Sequence, residues 1–169
     1  MLGTLQEVAR RGVPIIAVNP LRERGLERFT SPQDPAQMLT NASTPIAQTY
    51  YQVRIGGDVA LLKGMMKWLL EADATDLAAG GQGVLDHAFL REHTDGIEAL
   101  REDIAATSWD DIVAQSGLSR GDIEAAAKVY AKAERVILCY GMGMTQHRFG
   151  TRNVHQMANL LLMRGNIGK

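Results

Sequence analysis

The sequence contains little cysteine, few aromatic residues and no excess of either charge. One cysteine among 169 residues excludes a disulfide scaffold and any multi-cysteine metal or iron–sulfur site built by this chain alone. The balance of 18 Lys and Arg against 19 Asp and Glu excludes a polycation that coats nucleic acid, so no nucleic-acid partner is expected. No apolar run approaches the ~20 residues of a membrane span. With 46% hydrophobic and 22% charged residues, the composition is that of an ordinary globular domain.

The patterns at both ends indicate a piece of a longer protein. Leu2, Leu5 and Val8 follow helical spacing from the first residues, and no signal-peptide pattern occurs there. The last helical run ends at Gly165-Asn166-Ile167-Gly168, and glycine at this place is typical of a helix C-terminus. We therefore expect residues 1–169 to form a single, partial domain of a larger chain.

Three short segments predict strands. Val13–Val18 and Arg135–Tyr140 are apolar on both faces, which is typical of interior parallel strands, and Gln48–Ile55 is rich in β-forming residues. Helical spacing covers Asp58–Glu71, Asp86–His93, Gly96–Ala106, Ser108–Gln115, Ser119–Ala133 and Phe149–Met163. Strands that alternate with helices predict an α/β fold: an open, mainly parallel Rossmann-like sheet flanked by helices.

In such a sheet, ligands bind beyond the carboxyl ends of the strands. The first strand end reads Val18-Asn19-Pro20-Leu21-Arg22-Glu23-Arg24. An amide and two guanidinium groups leave the sheet together there, and Arg is suited to two-pronged contact with phosphate oxygens. A solvated charged loop explains the same residues equally well.

The second strand end reads Ile55-Gly56-Gly57-Asp58. The two glycines allow the backbone to approach a ligand at the start of a helix. The two oxygens of the Asp58 carboxylate match the adjacent N1–H and N2–H donors of a guanine. The simpler interpretation is that Asp58 caps its helix.

The third strand end reads Tyr140-Gly141-Met142-Gly143-Met144-Thr145-Gln146-His147. Gly-x-Gly after a strand suggests a dinucleotide loop, but Gln146 stands where that motif requires its third glycine. The methionines could equally fill a core, and His147 could be an ordinary surface histidine. Because parallel strands share a carboxyl edge, we expect Asn19, Asp58 and Gly141 to lie along one edge of the sheet.

The remaining candidates predict no catalytic residue and no metal ligand. His87 and His93, and likewise His147 and His155, lack a third ligand at metal spacing. Cys139 lies within an apolar strand run and is expected to be buried and inert. The residues alone therefore predict an α/β module that binds a nucleotide-like anion.

These motifs, in this order, resemble the molybdopterin oxidoreductase family. The nearest likeness is to the catalytic alpha subunits of formate dehydrogenases and to formate dehydrogenase-like cytoplasmic oxidoreductases of bacteria. It runs over nearly the whole chain, and its most specific parts are Tyr140–His147 and Asn159–Gly168. The chain would then be most of the family's central cofactor-binding domain.

The resemblance implies a molybdenum or tungsten bis(molybdopterin guanine dinucleotide) cofactor. Val18, Asn19 and either Arg22 or Arg24 would line one guanosine diphosphate arm; the arginine is left open because the family often has Asp-Pro-Arg where this chain has Asn19-Pro20-Leu21-Arg22. Gly57 and Asp58 match the family's Gly-x-Asp that meets the guanine. The loop of Gly141, Met142, Gly143 and Gln146 matches positions near the pterin and phosphates.

The resemblance also implies what lies outside this chain. A 4Fe–4S cluster and the metal-ligating residue would belong to an earlier part of the parent enzyme, so this chain alone would be inactive. Its partners would be the remaining domains of the parent and electron-transfer subunits. Two other hypotheses stay open: a nicotinamide-binding Rossmann module, and a non-catalytic domain that retains the fold.

Overall fold

The structure, a computed structural model, describes residues 1–168 and divides into two compact units. The N-terminal unit comprises Met1–Val53, and the C-terminal unit begins at Arg54. No helix within the described residues is both long enough and apolar enough to cross a membrane.

The N-terminal unit alternates short helices and short strands. Its elements are α1 (Leu2–Arg10), β1 (Ile16–Val18), α2 (Arg24–Glu27), β2 (Arg28–Phe29), α3 (Pro35–Thr40), β3 (Thr44–Pro45) and β4 (Thr49–Tyr51). The buried Gln6 amide of α1 donates to the Phe29 carbonyl at 3.2 Å and to Thr44 Oγ1 at 3.0 Å, so one side chain ties α1 to both β2 and β3.

Strands β1 and β4 form a parallel pair. Ile16 lies opposite Thr49 and Val18 opposite Tyr51, which confirms the predicted parallel pairing and the α/β class. Strands β2 and β3, which the sequence did not predict, pair antiparallel. The predicted burial of Val13–Val18 on both faces is wrong, because Val13 and Val18 are 42% and 44% exposed. An apolar run records β propensity, but burial depends on which elements cover it.

The C-terminal unit is helical, and its helices follow the predicted periodicities closely. They are α4 (Asp58–Ala78), α5 (His87–His93), α6 (Ile97–Ala106), α7 (Trp109–Ser116), α8 (Arg120–Lys132) and α9 (Gly150–Met163), with a short 3₁₀ turn at Met142–Met144. Ser119 caps α8 by accepting a hydrogen bond from Asp122 N–H, as predicted.

Helix α4 lies at the centre of this unit and contacts α6, α7, α8 and α9. Its residues Met66 and Leu69 are fully buried in the core, together with Ile104, Leu160 and Met163. At Gly64 a β-carbon would lie 2.8 Å from Cγ2 of both Ile112 and Ile123. The missing side chain therefore lets α7 and α8 approach α4 closely.

The predicted buried strand at Arg135–Tyr140 is wrong. Residues 135–140 are extended but belong to no strand pair of the described chain. Val136 and Leu138 pack against the helical core, whereas Ile137 is 87% exposed and Cys139, expected to be buried, is exposed. The alternation of side chains is that of a strand, but a strand also requires a neighbouring backbone, and here helices cover one face only.

Asn166 anchors this extended segment by its side chain. Its Oδ1 accepts a hydrogen bond from Val136 N–H at 3.1 Å, and its Nδ2 donates to the Tyr130 hydroxyl at 3.3 Å. That hydroxyl in turn donates to the Leu160 carbonyl at 2.6 Å. The Gly-Asn-Ile-Gly motif of the sequence thus joins α8, α9 and the segment that leads to Gly141.

A buried carboxylate fixes the turn between α4 and α5. Asp73 Oδ1 accepts hydrogen bonds from Val84 N–H at 2.7 Å and Leu85 N–H at 2.9 Å, and it lies 2.9 Å from His87 Nε2. Burial alone would raise the pKa of the Asp73 carboxyl, but these hydrogen bonds outweigh that effect and hold the pKa below its ordinary 3.8. The ionised form is therefore the one that stabilises the fold.

We predict that Asp73→Asn lowers the free energy of unfolding by about 1–3 kcal/mol at neutral pH, because buried N–H groups lose a charged acceptor. A carboxyl whose folded pKa is depressed stabilises the fold above its unfolded pKa and loses that effect as the pH falls through the folded pKa. The difference between wild type and variant should therefore shrink below about pH 4. Urea unfolding followed by tryptophan fluorescence measures it, since both tryptophans, Trp68 and Trp109, lie in the C-terminal unit.

The matched control is Asp95→Asn, an exposed carboxylate of the same unit. It should change the unfolding free energy by less than about 0.5 kcal/mol at any pH. Equal losses for the two variants would contradict the role of Asp73.

Candidate functional site

In the N-terminal unit, the residues after β1 form a hydrogen-bonded turn. Asn19 N–H donates to the Tyr51 carbonyl at 3.1 Å, which extends the parallel pairing by one residue, and Asn19 Nδ2 donates to Glu23 Oε1 at 2.7 Å. The Tyr50 hydroxyl donates to the Leu21 carbonyl at 2.6 Å. The turn that carries the two predicted arginines is thereby fixed from β4.

The two arginines differ in what they contact. Arg22 forms an ion pair with Glu27 at 2.5 Å and lies over the Tyr50 ring, 5.3 Å from its centre. Arg24, the first residue of α2, is exposed and has no ion pair within residues 1–168. Arg24 is thus the guanidinium group that can bind an anion without first breaking a contact.

In the C-terminal unit, a tight turn precedes α4. Gly57 N–H donates to the Arg54 carbonyl at 2.8 Å, and Arg54 N–H donates to the Ser116 carbonyl at 2.8 Å. A β-carbon on Gly57 would lie 2.7 Å from the Gln115 carbonyl oxygen and 2.9 Å from Ser116 Cα. Only glycine fits against the backbone at this position, so Gly57 serves the contact between the turn and the end of α7, whereas the sequence had suggested close approach of a ligand.

Asp58 is the first residue of α4, and the helix cap is Gly57 with no capping side chain. Asp58 is half-buried, and its carboxylate accepts a hydrogen bond from its own backbone N–H. Burial raises the pKa of the Asp58 carboxyl above its ordinary 3.8, an effect that its own N–H and the charge of His147 offset only in part. The interpretation of Asp58 as the N-cap is wrong, because the cap residue is Gly57 and Asp58 is an acid of the first turn.

The loop Gly141–Phe149 connects the extended segment to α9. Met144 N–H donates to the Gly141 carbonyl at 3.1 Å, and Gln146 N–H to the Met142 carbonyl at 2.8 Å. The side chains of Met142 and Gln146 are exposed and touch, with Nε2 3.2 Å from the sulfur. Gly141-x-Gly143 opens a 3₁₀ turn rather than a long helix, so it lacks the strand–glycine–helix context of a dinucleotide loop.

The structure brings two of the three predicted motifs together. A β-carbon on Gly56 would lie 3.9 Å from the ring of Phe149, so this ring packs on the turn before α4. His147 is near enough for its charge to lower the pKa of Asp58. The Gly57-Asp58 turn and the Gly141–Phe149 loop therefore form one surface, which we call the Asp58 surface.

The third motif, with Val18, Asn19, Arg22 and Arg24, belongs to the N-terminal unit. The sequence placed Asn19, Asp58 and Gly141 at one sheet edge because each was thought to follow a strand. That reason fails for Gly141, since residues 135–140 form no strand pair in the described chain. It also fails for Asp58, because β4 ends at Tyr51 and a turn intervenes.

Sequence reasoning missed Asn153. This residue lies on the buried stripe of α9 with Met157 and Leu160 and is 0% exposed. Its Nδ2 donates to the Met144 carbonyl at 2.9 Å and contacts His147 Nε2 at 2.9 Å. An amide on an otherwise apolar helix stripe was the signal that could have revealed it.

Among residues 1–168, the His, Cys, Asp and Glu side chains form no group of three that could hold a metal ion. What the Asp58 surface offers is a half-buried carboxylate, a close-packed glycine turn and two exposed side chains on an ordered loop. This arrangement can accept paired N–H donors and surround a polar group.

Comparison with known proteins gives relatives over the full length of the chain, although no family model matches. Protein YdeP of Escherichia coli is 56% identical over 169 residues, covering 100% of this chain and 22% of YdeP. An oxidoreductase of Mycobacterium bovis is 34% identical over 169 residues, covering 100% of this chain and 21% of the relative. Formate dehydrogenase H of Escherichia coli is 28% identical over 124 residues, covering 73% of this chain and 16% of the enzyme.

Among solved structures, acetylene hydratase from Pelobacter acetylenicus has a similar fold. The TM-score is 0.75 at 19% sequence identity, and the match covers 98% of this chain and 19% of that chain. The chain spans about a fifth of the length of the relatives it matches. These similarities to oxidoreductases and to formate dehydrogenase subunits agree with the order of motifs along the sequence and are consistent with a fragment of a molybdopterin oxidoreductase.

Proposed function

We propose that this chain binds the guanosine diphosphate part of molybdopterin guanine dinucleotide, as the cofactor-binding portion of a formate dehydrogenase-like oxidoreductase. The observation that carries the proposal is Asp58. Its carboxylate is half-buried at the start of α4, accepts within residues 1–168 only from its own backbone N–H, and has a pKa raised by burial. Burial of the ionised carboxylate costs free energy, and no side chain of opposite charge bonds to it within residues 1–168. A ligand that supplies hydrogen-bond donors would stabilise this charge.

Guanine is the base that matches this carboxylate. Its N1–H and N2–H point the same way and can donate to the two carboxylate oxygens at once, whereas adenine presents an acceptor at the equivalent ring nitrogen. Gly57 holds the turn before α4 against the backbone of Gln115 and Ser116, which fixes the position of the Asp58 carboxylate. The pair of acceptor oxygens therefore fits the donors of a guanine.

The Gly141–Phe149 loop is proposed to contact the phosphate and pterin side of the cofactor. Gly141, Met142, Gly143 and Gln146 are all exposed, so a ligand can reach them without rearranging the core. Gln146 offers an amide donor to phosphate oxygen, and two glycines without side chains allow close approach.

In the N-terminal unit, we assign a guanosine diphosphate arm to Val18, Asn19 and Arg24. Val18 is 44% exposed at the carboxyl end of the parallel pair, and Asn19 follows it. The exposed Arg24 takes the phosphate contact, because Arg22 is held by Glu27. The ion pair of Arg22 with Glu27 supports the choice of Arg24 over Arg22 in this proposal.

The whole enzyme would carry the bis form of the cofactor with molybdenum or tungsten, which supplies the redox chemistry when bound. The 4Fe–4S cluster, the metal-ligating residue and the remaining domains would come from the rest of a cytoplasmic parent chain, which would pass electrons to electron-transfer subunits. On this proposal residues 1–169 act as one cofactor-binding domain and are inactive alone. The role of this chain's residues is to bind and orient the cofactor.

The nicotinamide alternative finds no support, since the Gly141-x-Gly143 turn lies neither after a paired strand nor at the start of a long helix. A non-catalytic domain that retains the fold makes a different prediction from the cofactor-binding one. It would not bind guanine nucleotides.

We predict that the chain binds guanosine diphosphate in preference to adenosine diphosphate and that Asp58→Asn abolishes this preference. Loss of a charge-assisted pair costs about 1.5–3 kcal/mol, or roughly 10- to 150-fold in affinity. Because the folded pKa of Asp58 is raised, its ionisation costs stability as the pH rises through that pKa, so Asn should not destabilise the free chain at neutral pH. Calorimetric titration and urea unfolding measure the two effects.

Asp110→Asn is the control, an exposed first-turn acid of α7 in the same unit. It should leave nucleotide binding unchanged and cost a few tenths of a kcal/mol through the helix dipole. Absence of guanine-nucleotide binding by the wild-type chain would refute the proposed function and favour the non-catalytic domain.

Substitutions of Arg22 and of Arg24 should differ in their effects, because we expect Arg24 to contribute to anion binding and Arg22 only to local contacts within the chain. Arg24→Gln should weaken binding of inorganic pyrophosphate by about 0.5–1 kcal/mol, the range of an exposed ion pair, without changing the unfolding free energy. Arg22→Gln should leave binding unchanged and remove its exposed pair with Glu27 and its contact with the Tyr50 ring. The opposite result in titration calorimetry would transfer the phosphate contact to Arg22.

A further inference from the structure

Asn153 forms the only side-chain hydrogen bonds that, within residues 1–168, run from α9 back to the loop before it. Its backbone N–H donates to the Phe149 carbonyl in the ordinary helical manner, while its side chain reaches Met144 and His147. The residue is fully buried. It therefore contacts the loop at three places, each of them at a partly buried residue.

The identity of the amide atoms is fixed by the Met144 carbonyl. A carbonyl can only accept, so the atom 2.9 Å away must be the NH₂ group. Its second hydrogen faces His147 Nε2 at 2.9 Å, which requires a lone pair on that nitrogen. The other ring nitrogen, Nδ1, lies 3.2 Å from Phe149 N–H, but a neutral imidazole has one lone pair, and the shorter contact takes it.

Burial of the Asn153 amide costs free energy. Asn153 Oδ1 is buried and has no hydrogen-bond partner in the described chain. A leucine would pack in the same apolar stripe with Met157 and Leu160 without that cost. A leucine cannot donate hydrogen bonds to the Met144 carbonyl and the His147 ring. These two hydrogen bonds are therefore what distinguishes asparagine from leucine at this position.

The loop so held is the one that carries Met142 and Gln146. Gly150 adds a second constraint, because a β-carbon there would overlap the Thr145 carbonyl. Phe149 packs at Gly56, beside Asp58. The conformation of the loop over the start of α4 is thus determined from the helix behind it.

We propose that Asn153 is a positioning residue that sets the Gly141–Phe149 loop for contact with the cofactor's phosphate groups, while Asp58 binds the guanine. This inference rests on the proposed function and adds that one residue binds the guanine while another positions the loop that contacts the phosphates. Asn153 acts through the loop backbone and the His147 ring and does not itself touch the ligand.

Two variants test it. Asn153→Leu removes both donations at similar volume, and Asn153→Asp removes them without changing the shape, which covers the case in which one variant fails to fold. Each should lower affinity for guanosine diphosphate by about tenfold, the worth of roughly one hydrogen bond, and leave affinity for guanosine unchanged. Asp58→Asn should lower both affinities.

A ligand-independent measurement distinguishes failure of this inference from failure of the proposed function. Nitrogen NMR of the imidazole identifies which ring nitrogen of His147 carries the hydrogen, and His147→Gln identifies the resonance. In wild type the hydrogen should be on Nδ1, and in both Asn153 variants it should move to Nε2. Asn159→Leu, on the same helix and without a side-chain hydrogen bond in the described residues, should change neither the tautomer nor either affinity.

The inference is overturned if His147 keeps its tautomer in the Asn153 variants, or if these variants bind guanosine diphosphate as wild type does. If wild type binds neither ligand, the proposed function fails. The tautomer measurement then still decides whether Asn153 holds the loop.

Discussion

The close packing of α4 against its neighbours is the constraint on which the C-terminal unit depends. Gly64 lets α7 and α8 approach α4, and Met66 and Leu69 fill the space that results. A helix packed on so many sides has little freedom to shift. Both of its ends therefore become fixed points: one carries Asp58, and near the other Asp73 binds the turn that leads to α5.

The two carboxylates of this helix show opposite electrostatic conditions. Asp73 is surrounded by N–H donors that lower its pKa, so its charge stabilises the fold. Asp58 has its own N–H and the charge of His147 nearby, but burial outweighs both and raises its pKa, so its charge opposes the fold. A carboxylate satisfied by the protein has a structural role, whereas one disfavoured by burial is a candidate for ligand binding, as proposed above.

The sequence predicted what depends on near neighbours. The α4, α8 and α9 periodicities and the Ser119 cap are local, since residues three or four apart decide them, and the structure reproduces them. Residues 135–140 were mistaken for a paired strand because pairing depends on a distant backbone that no local pattern reports. The closeness of the Gly57 turn to the Gly141–Phe149 loop was expected from a shared sheet edge, but the structure produces it through the packing of Phe149 on Gly56 and not through a strand pair.

Buried polar side chains explain why this loop has one conformation. Apolar contacts are non-directional, so the stripe of Met157 and Leu160 fixes that α9 packs but not how the preceding loop folds back. An amide has direction, and Asn153 can satisfy its NH₂ group only when the Met144 carbonyl and the His147 ring are both in place. Any other loop conformation leaves these buried donors unpaired as well as Oδ1, which raises its energy. The free-energy cost of the unpaired Oδ1 thus accompanies the selection of one loop geometry. A leucine side chain, which makes no hydrogen bonds, could not select it.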